Sequence, residues 1–314
     1  MRFAALVTLI IFSWPCSVQA SEIDSFTPRY SGLESQTEKL NTLTQEILQQ
    51  VIDEANGGWF VPRGCNPKTI RRKIWWAFWS HVGSFRAVFR EGGPLEVVKT
   101  PLDESVYRNL NAIDSPVLGG LGRAGNPMGT VLRLEAFIVG SDKFEHVFGF
   151  GYGFYRLHYE YGLSLETVLL INAWFERWVF GSLPTAIDSY ADLAVNFRGI
   201  ELINAFVGEE VDILQGEAPE PYLLCRKGRW QLNPERPFDW RDWIDASWDE
   251  GYNCSAFKTQ RAADSVVAEI ESLEIRTGER HQCPLDIDLF EEAASRYGPY
   301  REAVMNPEHR AIYE

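Results

Sequence analysis

Long uninterrupted apolar runs are scarce in this 314-residue chain. The run from Ala4 to Trp14 is too short to span a bilayer. Elsewhere even Val168 to Phe180 is broken by Glu176 and Arg177, so no ordinary membrane-spanning helix is expected. Positive charge is also short. Thirty Lys and Arg face 44 Asp and Glu, for a formal charge of −14, which excludes a general nucleic-acid binder. There are five cysteines and no C-x-x-C pair, which argues against a cysteine zinc site. Neither G-x-S-x-G nor H-E-x-x-H occurs, so no serine elbow or zincin helix is indicated. Internal repeats and low-complexity tracts are absent. Gly120 to Gly125 spells G-x-G-x-x-G, but Asn126-Pro127 follows and no βαβ pattern surrounds it, so a dinucleotide site is not expected.

What is present begins with an export signal. Arg2, the apolar run and Val18-Gln19-Ala20 form a secretory leader over residues 1–20, cut after Ala20. Ser13-Trp14-Pro15 before Cys16 is a poor lipidation motif. The expected mature protein is periplasmic, and losing Arg2 takes its charge from −14 to −15. Cys65, Cys225, Cys254 and Cys283 then remain, an even set for an oxidising compartment. Three pairings are possible. Cys254–Cys283 is favoured, because a helix from Ser255 to Leu273 can fold back through Gly278. That leaves Cys65–Cys225.

The centre of the chain, Asp142 to Gly199, holds three apolar segments at helical spacing. Asp142, His146, Gly149 and Gly153 are four, three and four apart and share one stripe. Ser141 is the expected N-cap. Leu165, Leu169, Asn172, Glu176 and Phe180 share a face, capped by Ser164 and ended by Gly181. Asp188, Asp192, Asn196 and Gly199 share a third face. The glycines predict a close approach between the first and third helices. Each segment thus carries a carboxylate among apolar neighbours, which is costly unless paired or bound to a cation. His146, Asp142, Glu176, Asp192 and Asn196 are the candidate catalytic residues. Asp142, His146, Glu176 and Asp192 are the candidate ligands for a divalent metal ion of unstated identity. A metal there would activate water; without one, His146 oriented by a carboxylate is a general base. The alternative is a non-catalytic polar network that fixes helix register or binds a ligand. Asp188 is expected to stand apart, spent on capping, while Ser189 and Asp192 form a capping box.

The order D-K-x-x-H (Asp142, Lys143, His146), then Glu176, then S-x-x-D-L-x-x-N-x-x-G (Ser189, Asp192, Leu193, Asn196, Gly199) resembles the VanZ-like family and the related YfiM-type lipoproteins over residues 141–200. The resemblance implies a cell-envelope setting, with low-level glycopeptide resistance in some members. VanZ-like chains are membrane-embedded; this one reads as a version of the same helical core without spans. The expected action is on an envelope lipid or glycan.

Around this core the reading is coarser. Residues 21–31 are expected to be an unstructured leader and Gly32 to Asn56 a helix ended by Gly57-Gly58. Asn66-Pro67 opens a helix whose segment 70–90 is rich in Trp and Arg. That segment is a candidate for peripheral membrane contact, or a core helix with snorkelling Arg stems. His81 on it is expected to be structural. Residues 92–130 read as loop, CRKGRWQ around Gly228 as a hairpin, and PFDWRDWIDASWDEGYNCS as a packed loop or a sugar platform. Helices at Ser255–Leu273 and Asp286–Arg296 close the chain. The predicted fold is mostly α with little strand: one helical domain over 21–314, a core at 141–208 and a disulfide-stabilised part at 222–314. No protein partner is indicated.

Overall fold

The computed structural model describes residues 22–57, 64–79 and 84–306. The leader, the expected cleavage point and His81 lie outside the described residues. The fold is mostly helical, and among the described residues the strands form three two-stranded antiparallel pairs.

The first helix is Thr37–Asn56, later than expected, because Ser35 bridges to Arg133 and Gln36 N donates to Arg133 O before the helix starts. Gly57 ends it. Pro67–Trp79 follows, with Asn66 Oδ1 accepting from Thr69 N at 2.9 Å, as the Asn-Pro pair predicts. A short turn, Ser84–Ala87, comes next. Residues 92–130 are loops with one 3₁₀ turn at Leu121–Gly125, so the glycine-rich run opens no helix against a strand.

A hairpin pairs Val131–Leu134 with Phe137–Gly140 and leads directly into the central run. The helical run from 142 to 160 alternates α turns (Asp142–Glu145, Gly151–Tyr155) with π turns (His146–Phe150, Arg156–Glu160). Leu165–Phe175 ends in another π turn, Glu176–Phe180, and Tyr190–Ala205 is the buried third helix. The expected CRKGRWQ hairpin forms between Leu223–Arg226 and Arg229–Leu232. Lys227 and Gly228 both have positive φ, as a two-residue turn requires. The last long helices are Gln260–Thr277, capped by Thr259 and closed by left-handed Gly278, and Ile287–Ser295, capped by Asp286. The first of these starts five residues later than the sequence suggested, because Ala256–Phe257 pairs with Ile187–Asp188 instead.

The π turns correct one expectation. Gly149 and Gly153 do not meet the third helix. A Cβ on Gly149 would strike Trp79 Nε1 at 2.3 Å, and Gly153 has open space. Gly151 makes the close contact: its Cβ would lie 2.6 Å from Gly199 Cα. Gly151 N–H bonds to His146 O, an i to i+5 link. The extra residue rotates the following stripe by about 100° relative to an α extrapolation.

The core is unusually aromatic. Phe78 stacks on Phe148 at 4.4 Å and Phe89 on Phe144 at 4.6 Å between ring centres. Trp240 and Trp248 are wholly buried against Phe144, which makes the acid-rich loop a packed element. Residues 22–26 also correct the sequence reading. Ile23 and Phe26 are buried, Glu22 forms a parallel bridge with Met128, and Arg29 makes a two-pronged pair with buried Asp249 at 2.9 and 2.5 Å. Both expected disulfides form, Cys65–Cys225 and Cys254–Cys283. No helix among the described residues is long and apolar enough to cross a membrane.

Candidate functional site

Lys143 is the hub of the polar cluster. Its side chain is fully buried, and Nζ donates to Asp142 Oδ2 at 2.9 Å, Asp192 Oδ1 at 2.6 Å and Glu250 Oε1 at 2.9 Å. Three acceptors satisfy the three ammonium hydrogens. Burial alone would lower the Lys143 pKa, but the three carboxylates outweigh it and raise it well above the usual value. The helix therefore carries Asp142, Lys143 and His146 into the core, and Gly140 makes room for the carboxylate. A Cβ there would sit 2.1 Å from Asp142 Oδ1.

The neighbouring helices fix His146. Asn172 Nδ2 donates to Leu193 O at 3.3 Å, so its Oδ1 faces Asn196 Nδ2, at 2.8 Å. Asn196 must then present Oδ1 to His146 Nδ1, at 3.1 Å. Two amides thus carry the polarity of a backbone carbonyl to the imidazole and place the proton on Nδ1. A neutral ring held this way turns the lone pair of Nε2 toward Asp192 Oδ2, 3.3 Å away. Two acceptors facing each other need a proton or a metal ion between them. Burial would raise the Asp192 pKa, but His146 and Lys143 hold it below the usual range.

One ligand atom each from Asp142, His146 and Asp192 lies within 4.8 Å of the others, a spacing compatible with one cation. These are three of the four ligands predicted from sequence. Glu176 is not among them. It is buried, and its Oε1 accepts from Ser189 N at 3.3 Å, satisfying an orphan amide at the start of the third helix. Its environment, burial first and then Asp192 and Asp188, pushes its pKa well up. Asp188 stands apart as expected, but it does not cap. It lies in the short strand and pairs with Arg177 at 3.2 Å, while Ser189 Oγ caps the helix by accepting from Asp192 N. Ser141 does not cap either, because its backbone is already helical; its hydroxyl partners Thr130. Ser164 does cap, accepting from Thr167 N.

Three site residues escaped the sequence reading. Glu250 arrives from the aromatic loop, accepts from Ser189 Oγ at 3.0 Å as well as Lys143, and lies 3.5 Å from Tyr107 Oη. Burial dominates and lifts its pKa to about 7 despite Lys143. Glu22 is raised well above its usual value, mainly by burial and then by Glu250. Asn172 was visible on the Glu176 face but has no role until its neighbours are known. Asp142, Asp192 and Glu250 thus share one ammonium.

Comparison with known proteins returned no matching family model, no similar curated protein and no similar solved structure.

Proposed function

We propose that Asp142, His146 and Asp192 bind a divalent cation, and that the protein is a secreted cell-envelope hydrolase acting on a lipid or glycan. The observation that carries this reading is the His146 Nε2 lone pair, held by the Asn172–Asn196 chain to face Asp192 Oδ2 at 3.3 Å beside a second carboxylate, Asp142. A cation there would sit on ligands already oriented by hydrogen bonds from behind, and its chemistry would be activation of water. Asn196 is then a positioning residue, and Glu176 supports the helix start. The D-K-x-x-H to N-x-x-G order supports VanZ-like kinship, and with it the envelope setting. A periplasmic location, with the leader cut after Ala20, is consistent with two disulfides. Peripheral contact with a membrane surface through 70–90 is supported by exposed Trp76 one turn after exposed Arg72.

A second reading is favoured by Lys143, whose ammonium already neutralises one oxygen of Asp142 and of Asp192. In that case His146 carries a second proton, and the cluster registers the helices without a reaction. Titration calorimetry with Mn²⁺ and Zn²⁺ separates the two. The metal reading expects one ion per chain and at least tenfold weaker binding in His146→Ala and Asp192→Asn. No stoichiometric binding by the wild-type chain overturns it in favour of the network.

A further inference from the structure

We propose that the cleft on the opposite side of the Asp142 helix is a second binding site, for a small organic anion with an apolar body. It does not rest on the metal reading. The cleft has a volume of about 800 Å³, within the usual range for small-ligand pockets. Ser141, Phe144 and Glu145 line it, whereas Asp142 and His146, on the same helix, face the polar cluster. The two sites therefore share one helical turn, back to back.

Its chemistry differs from that of the rest of the molecule. The chain is strongly acidic, yet Arg86, Arg90 and Lys99 all line this cleft. Arg86 is bonded to Glu145. Arg90 and Lys99 have no ion pair or side-chain hydrogen bond among the described residues. Glu91 also lines the cleft and is unpaired in the same sense, so the two free cations exceed the free acid by one charge. Thr130 and Ser141 add a hydroxyl pair, 3.0 Å apart, to the wall. Beneath them lie Phe78, Phe85, Phe89 and Phe144, already packed ring on ring, with Met128 beside them. Free cations and hydroxyls above an aromatic floor suit an anionic head, phosphate or carboxylate, carried on a short apolar tail.

The test uses octyl phosphate as probe, with inorganic phosphate and octyltrimethylammonium as arms, followed by titration calorimetry on the full chain. The expectation is saturable one-to-one binding of octyl phosphate, at least tenfold weaker binding of inorganic phosphate, and none of the cationic amphiphile. The Arg90→Gln/Lys99→Gln variant changes two residues whose side chains make no ion pair or hydrogen bond among the described residues, and it should lose at least tenfold in affinity, with an unchanged circular dichroism melt. The proposal is overturned by any of three results: no saturable binding of octyl phosphate, equal affinity in the double variant, or inorganic phosphate binding as tightly as the octyl ester. Metal binding at the other face is measured separately, so failure here leaves that reading intact.

Discussion

At the scale of single residues, the polar cluster makes the folded state hold protons that the unfolded chain gives up. Glu250 titrates near 7 in the fold, against an ordinary 4.5, chiefly because it is buried. Glu201, buried beside Arg198, is likewise lifted to about 7. Between the ordinary value and about 7 the folded chain carries more protons than the unfolded one, so stability falls as pH rises through the window. Each group contributes a loss on the order of 3 kcal/mol. Asp192 and Asp239 act oppositely, being held low, and their contribution disappears only on stronger acidification. Thermal melts without added metal should therefore peak near pH 5 and fall toward pH 8. Glu250→Gln keeps an acceptor for Lys143 and should make that fall shallower. A wild-type melt that is flat or rising from pH 5 to 8 would contradict this account. Two of the acids concerned were hard to foresee. Glu250 lies in a loop with no period to extrapolate, and Glu22 in a polar stretch that resembles a leader. Asp142 and His146 were legible, because they sit one turn apart ahead of any helical irregularity.

At the scale of elements, the central run shows how far a period can be trusted. Its first turn follows the α rule and brings Asp142, His146 and Asp192 together as the spacing implied. The π turn at His146–Phe150 then adds a residue, and the glycine that meets the third helix becomes Gly151. Nothing in FGFGYGF distinguishes one glycine from the next, since the choice depends on a hydrogen bond made five residues back. The two positions should respond with opposite sign. Gly151→Ala puts a methyl 2.6 Å from Gly199 Cα, backbone that cannot step aside. It should cost about 3 kcal/mol or more in urea unfolding. Gly153→Ala has free space and a helical backbone, so it should stabilise by about 0.5–1 kcal/mol. Equal responses at the two sites would mean the contact is misassigned.

For the whole molecule, the two disulfides tie distant parts of the chain to the centre. Cys65–Cys225 spans 160 residues and joins the start of the Trp-rich helix to the hairpin, while Cys254–Cys283 spans 29 and holds the loop behind Glu250. Both pairings were open to sequence reasoning: Gly278 supplied the turn for one, and the other followed as the remainder. Paired Cys→Ser removal of either bond should lower stability by about 2–5 kcal/mol in guanidinium titration. The loss should vanish when both wild-type and variant chains are compared reduced. A cost that persists in the reduced chains would place the effect in packing around the cysteines.

The acceptors of Lys143 come from three separate stretches of chain, and Glu22, which feels their charge, lies near its beginning. A chain made from its amino end presents Glu22 first, then Asp142 and Lys143, then Asp192, and Glu250 only after some four-fifths of its length has been made. Until then the ammonium lacks its third acceptor, and the aromatic loop that seals it from water has not arrived. Any shorter length therefore lacks both that acceptor and the loop that covers the centre. Asp249, the residue before Glu250, grasps Arg29 and the Ile138 amide together. The stretch around Asp249 thereby closes on the stretch around Arg29.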